Sequence, residues 1–267
     1  MRPILAIILV LLLAAAVQAK VVTQKVEYKQ GDAVLEGFLA YDDALQGKRP
    51  GVLVVHEWWG LNDFVKKRSE ALAALGYVAF APDMYGKGVV TKDPQQAAKL
   101  SGQFKDKPLL RERAQAGLKV LTDNPQVDAK RLAAIGFCFG GTTALELAYS
   151  GADLAGVVSF HGHLTTPKPE DKKRVKAAFL ILHGGDDPLV TQKEVRALEQ
   201  ALRSLGADWT LIVYGGAMHS FMNPEADEAK IKGVSYDAKA AARAWKHMQV
   251  FLDELFSGAG GTKGKGK

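Results

Sequence analysis

Six predominantly apolar runs set the rhythm of this chain: Gly51–His56, Tyr77–Ala81, Leu132–Ile135, Leu154–Phe160, Ala177–His183 and Trp209–Tyr214. Each is of strand length and lacks a strict apolar/polar alternation, the pattern of strands covered on both faces of a parallel sheet. Helical stretches lie between them. Asp63 to Leu75 places Phe64, Val65, Leu72 and Leu75 at helical spacing and stops at Gly76. Lys193 to Leu205 stops at Gly206, and Tyr236 to Phe256 is amphipathic. Pro94 to Leu121 is polar and alanine-rich, one or two helices broken near Lys107-Pro108. Ahead of the first run, Val26–Lys29 and Ala33–Ala40 flank a Gln30-Gly31-Asp32 turn, which predicts a hairpin. Strands alternating with helices predict an α/β fold: a doubly wound, mostly parallel sheet led by an N-terminal antiparallel hairpin. No linker, second domain or internal repeat interrupts it.

The ends of the chain follow another pattern. Met1-Arg2-Pro3 and an unbroken apolar run from Ile4 to Val17 lead to small residues at Val17-Gln18-Ala19. This predicts a signal peptide over residues 1–19, cleaved after Ala19, and an exported, periplasmic or secreted, product. The run is short for a membrane span, so no stable insertion is expected after cleavage. Residues 258–267 are Gly/Lys-rich with no apolar content, which predicts a disordered tail. The folded domain is therefore expected over 20–257. Composition, 48% hydrophobic and 24% charged in 267 residues, is that of an ordinary globular domain. Of the formal charge of +6, Arg2 carries one and Lys263, Lys265 and Lys267 three, which leaves +2 for the body. No nucleic-acid partner is called for, and a monomer is expected.

Candidate chemistry gathers where the apolar runs end. The run from Leu132 finishes in Gly136-Phe137-Cys138-Phe139-Gly140-Gly141 and continues into a helical stretch, Thr142–Ala148. Strand, sharp turn, helix, with the single cysteine at the apex, is the pattern of a nucleophile elbow with cysteine in place of serine. Gly136 and Gly140 remove side chains that so tight a turn cannot hold. The helix N-terminus beside the sulfur favours thiolate. Other run ends supply Glu57 with Trp58-Trp59-Gly60, then Asp83, His161, Asp186 or Asp187, and His219. Cys138, an aspartate and His219 follow in the chain order nucleophile, acid, base of α/β-hydrolases.

A thiolate attacks, a histidine takes and returns its proton, and a carboxylate holds that imidazole in one tautomer. The oxyanion needs two backbone donors, expected from Phe139 and from the loop near Trp58. Among the other histidines, His161-Gly162-His163 lacks companions at metal-ligand spacing, and His56 and His183 read as hydrogen-bonded supports. His247 lies in the terminal helix as surface or packing. Neither a metal nor a cofactor is implied.

At His56-Glu57-Trp58-Trp59-Gly60, Gly136-Phe137-Cys138-Phe139-Gly140-Gly141 and Ala217-Met218-His219-Ser220-Phe221, the chain resembles the dienelactone hydrolase family. The likeness runs from about Val26 to Phe256. It implies Cys138 as nucleophile, Asp187 rather than Asp186 as acid, His219 as base, and Glu57 as a carboxylate that interacts with the resting thiol and is displaced by substrate. It also implies arginines that hold a substrate carboxylate, shortly after Pro-Asp-x-Tyr and just after His-Ser-Phe. Here Lys87 follows Pro82-Asp83-Met84-Tyr85, and Met222-Asn223 follow Phe221. A lysine supplies a point charge but no bidentate clamp. The expected pocket, with Trp59, Tyr85, Lys87 and Phe221, is therefore aromatic, and suited to small esters or lactones other than dienelactone.

The reading is an ester or lactone hydrolase working through an acyl-cysteine. A non-catalytic binding protein on the same scaffold, an acyltransferase using the same triad, and a thiol redox protein lacking a resolving cysteine are its rivals.

Overall fold

The computed structural model describes residues 20–105 and 108–257. The predicted signal segment and tail lie outside them. The eight strands are β1 (Val21–Gln30), β2 (Ala33–Asp42), β3 (Arg49–Val55), β4 (Val78–Ala81), β5 (Val127–Phe137), β6 (Gly156–Phe160), β7 (Ala178–Gly184) and β8 (Trp209–Tyr214). They form one sheet in the order β1-β2-β4-β3-β5-β6-β7-β8. The pairs β1·β2 and β2·β4 are antiparallel and all later pairs parallel. The hairpin is longer than its sequence suggested. Its register runs from Val21↔Asp42 to Gln30↔Ala33, and the backbone N–H of Lys20 donates to Asp42 Oδ1 at 3.1 Å.

Helices α1 (Asp63–Ala74), α2 (Pro94–Gly102), α3 (Leu109–Asp123), α4 (Phe139–Tyr149), α5 (Gln192–Leu205) and α6 (Ala238–Ser257) flank the sheet. Their ends follow local chemistry. Asn62 caps α1, Asp93 caps α2 ahead of Pro94, and Thr191 and Glu194 cap α5 reciprocally, with Gly206 left-handed at its close (φ 64°). Among the described residues no helix is long and apolar enough to cross a membrane.

Alternation along each strand splits the core in two. Leu53 and Val55 of β3, with Leu132 and Ala134 of β5, face α3, α4 and α5; Val52, Val54, Ala133, Ile135 and Phe137 face α1 and α6. Burial of side chains such as Leu53, Ile135 and Phe137, each fully enclosed, stabilises the sheet by about 1.5–3 kcal/mol apiece. The winding direction changes at β3, which lies between β4 and β5. A crevice therefore opens at the carboxyl ends of β3 and β5, where the loops carrying Glu57 and Cys138 begin.

Candidate active site

The elbow is built by steric necessity. A Cβ on Gly136 would land on the carbonyl of Gly140, and one on Gly140 would land on the carbonyl of Val55. Gly136 thus closes the turn on itself, while Gly140 lets α4 approach β3. Between them Cys138 holds φ 52° and ψ −115° as the residue preceding α4, a strained conformation that lifts its half-buried side chain out of the turn. Phe139, first in α4, has an N–H with no intrahelical acceptor. The N–H of Trp58 also makes no hydrogen bond among the described residues.

The structure brings three of the sequence candidates into one chain of contacts. Cys138 Sγ is 3.1 Å from His219 Nε2, and His219 Nδ1 is 2.8 Å from Asp187 Oδ2. Asp187 Oδ1 accepts from the N–H of Leu189 at 2.8 Å, which fixes the carboxylate. Asp186 is exposed and faces none of this. His219 is anchored through its backbone: its N–H donates to Gly233, and its carbonyl accepts from Ser235, both at 3.1 Å. Burial disfavours a charge on His219, but a thiolate at Cys138 and the bond to Asp187 outweigh it and lift the imidazole to about 10. The arrangement can hold a thiolate–imidazolium pair and pass one proton between Sγ and Nε2.

Glu57 is fully enclosed, yet in this structure it does not sit on the sulfur, as the resemblance implies for a resting enzyme. Its Oε1 accepts from Ser220 Oγ at 3.0 Å and its Oε2 from Asn223 Nδ2 at 2.6 Å. Burial pushes its carboxyl up, opposed by these two bonds and by the charges of His219 and Arg68. That Ser220 and Asn223 are the partners of Glu57 escaped sequence reasoning, because 163 and 166 residues separate them from it. Only their nearness to His219 could have drawn attention to them.

The expected pocket residues divide. Tyr85 donates its hydroxyl to the Trp58 carbonyl at 2.9 Å and packs 5.7 Å from the Phe139 ring, so it props both expected oxyanion loops. Trp59 packs edge-on against Trp58 and lines a cleft of about 780 Å³ that also reaches Phe38, Leu61 and Asn223. Two placements need correction. Lys87 is drawn away by charge, with its Nζ 2.6 Å from Glu27 and 3.7 Å from Glu36 on the hairpin. Phe221 is wholly buried against His161 and Tyr214, so it supports the His219 loop from beneath. His56, as expected, is a buried support: its ring accepts from the Met84 N–H and contacts the Glu57 carbonyl. His183 differs, since its buried Nδ1 has no hydrogen-bond partner. His247 pairs with the Tyr214 hydroxyl at 2.7 Å.

His161 stands apart. It is buried with φ 40°, both ring nitrogens lack partners, and its ring lies 5.4 Å from that of His219. Burial and the neighbouring His219 charge hold it well below the ordinary histidine range.

Sheet order, elbow and crevice define an α/β-hydrolase fold. The chain belongs to the dienelactone hydrolase family, whose pattern matches residues 35–256; it is an ester or lactone hydrolase by that membership. Among solved structures it is similar to P91, a dienelactone hydrolase-like promiscuous phosphotriesterase from metagenomic libraries. The TM-score is 0.85 at 42% identity, over 88% of this chain and 98% of that one. A dienelactone hydrolase from Anabaena variabilis shares the fold at TM-score 0.62 and 22% identity, over 87% of this chain and 98% of its own. Protein usf of Aquifex pyrophilus is 29% identical over 240 residues, 88% of this chain and 99% of that protein.

Proposed function

We propose that this protein hydrolyses small, uncharged esters or lactones through an acyl-cysteine formed on Cys138. The observation that carries the reading is the continuous Cys138–His219–Asp187 contact chain at the elbow, 3.1 and 2.8 Å link by link. The Cys138 proton passes to His219 Nε2, and the thiolate attacks the carbonyl carbon. The N–H groups of Phe139 and Trp58 receive the oxyanion. On collapse His219 returns its proton to the leaving alkoxide, which departs as alcohol. Water, deprotonated by His219, then attacks the thioester and releases the acid. Asp187 keeps Nδ1 protonated throughout.

Preference for uncharged substrates rests on what surrounds the crevice. Lys87 is engaged by Glu27 and Glu36, and Asn223 by Glu57. The cleft lysines Lys25, Lys66 and Lys92 are paired with Glu36, with Asp63, and with Glu225 and Glu228. Tyr85 packs on Phe139 and Trp58 beside the elbow. Since P91 is named a phosphotriesterase, a neutral phosphotriester belongs in the substrate screen. We also propose that the protein works outside the cytoplasm, after cleavage behind Ala19.

Intact-mass analysis after mixing with an activated acetate ester tests the reading. A transient acetyl adduct, absent from Cys138→Ala, with turnover lost in Cys138→Ala and His219→Ala, is expected. Equal slow ester loss in all three proteins would overturn it and leave the binding-protein reading.

A further inference from the structure

We infer that Glu57, Ser220 and Asn223 form a brace that holds the general base and the oxyanion donor in register, with Asn223 as a positioning residue. The inference rests on the catalytic reading above. Glu57 precedes Trp58, whose N–H is the second oxyanion donor, and Ser220 follows His219. The bonds from Ser220 and Asn223 to the one carboxylate therefore join the loop after β3 to the loop after β8 at the two residues flanking the chemistry.

Three features make this more than incidental packing. Glu57 is 1% exposed and Asn223 3%, so each would leave a buried polar group unpaired without the other. Ser220 holds φ 57°, a left-handed conformation unfavourable for serine, and in it the hydroxyl reaches Glu57. The far side of the same loop is fastened independently. Phe221 accepts from the Asp237 N–H at 3.2 Å, and Met222 from Arg68 at 2.9 Å while Arg68 lies over the Phe64 and Trp245 rings. Only the Glu57 bonds, among those of the described residues, tie it to residues 57–62. Misplacing a reacting group by about 1 Å can cost roughly 100-fold in rate, so loss of the brace acts on kcat more than on binding of a neutral ester.

Kinetics of Asn223→Ala, Asn223→Asp, Glu57→Ala and Glu57→Gln with a neutral acetate ester test this. Asn223→Ala and Glu57→Ala are expected to lower kcat about 10- to 100-fold with little change in KM. Glu57→Gln recovers most of the loss, since its amide oxygen still accepts from Asn223 Nδ2 and its amide nitrogen donates to a rotated Ser220 hydroxyl, while Asn223 Oδ1 keeps the Glu225 N–H. In Asn223→Asp two carboxyls face each other, with His219 and Arg68 the nearest cations, so its activity relative to wild type rises as pH falls and one carboxyl takes a proton. That pH signature also separates the brace from simple misfolding. Wild-type kcat in Asn223→Ala, or Glu57→Gln no better than Glu57→Ala, overturns the brace. Wild-type turnover in Cys138→Ala overturns instead the catalytic reading on which it stands.

Discussion

Asp187 Oδ2 and His219 Nδ1 stand 2.8 Å apart with both side chains buried, whereas Asp186, one residue earlier, is exposed. Two adjacent aspartates thus make unequal predictions. Asp187→Asn should lower kcat by at least about 100-fold, through the wrong tautomer and loss of the charge that supports the imidazolium. Asp186→Asn should stay within about threefold of wild type, as a surface change. Steady-state kinetics on the same ester decide, and the reverse ranking would move the acid to Asp186.

His219 carries the pH prediction. Its own proton is held with a folded value raised from 6.5 to about 10. Such a group contributes stability that is fully present below 6.5 and is lost as pH climbs through about 10. Denaturant unfolding of wild type and His219→Asn at pH 6, 8 and 10 should show the wild-type advantage smallest at pH 10. Because the Cys138 thiolate is the foremost of the raising influences, histidine NMR on Cys138→Ala should find the His219 titration moved well down. An unmoved titration would deny the ion pair.

Much of this was legible in the chain itself, and the reason is local. The strands β3 to β7 lie between helices and are largely covered on both faces, so their apolar runs announced them. The edge strand β8 showed as an apolar run although only Tyr214 in it is buried. The Gly136–Gly140 turn can be read because backbone clashes exclude other side chains there. The partners of Glu57 could not be read, since a carboxylate meeting Ser220 and Asn223 depends on how two distant loops close. Lys87 misled for the same reason. A surface lysine goes to the nearest carboxylates, and the hairpin supplied two. Likewise Val21–Lys25 looks too polar for a strand and gains its form from the long register with β2.

Lys87→Ala follows as a prediction. With its side chain half-exposed and committed to Glu27 and Glu36, its loss should leave kcat/KM within about twofold for neutral and anionic esters alike and stability little changed, as for a surface ion pair. A selective loss on anionic esters would return Lys87 to the pocket.

The buried nitrogens of His161 lack partners and so cost stability. His161→Phe keeps an aromatic ring beside Phe137, Phe221 and His219 and should raise stability by about 1 kcal/mol, visible as a Tm higher by about 2–4 °C. A lower Tm would mean that the imidazole nitrogens find partners in solution.

Alanine at Gly140 would drive a methyl group into the Val55 and His56 carbonyls. Neither can yield without breaking strand β3 from the sheet, so Gly140→Ala should cost about 3 kcal/mol or more and abolish turnover. Chemical denaturation beside an activity assay measures both.

The first hydrogen bond of the sheet, from the Lys20 N–H to Asp42 Oδ1, changes character if the chain is cut behind Ala19. The peptide nitrogen then becomes a free ammonium, and a neutral donor beside the Asp42 carboxylate turns into a charge-assisted one. Maturation would itself tighten the outermost strand: the same proteolytic event that releases the protein from its leader would rivet the new terminus to the hairpin and protect that end from further trimming.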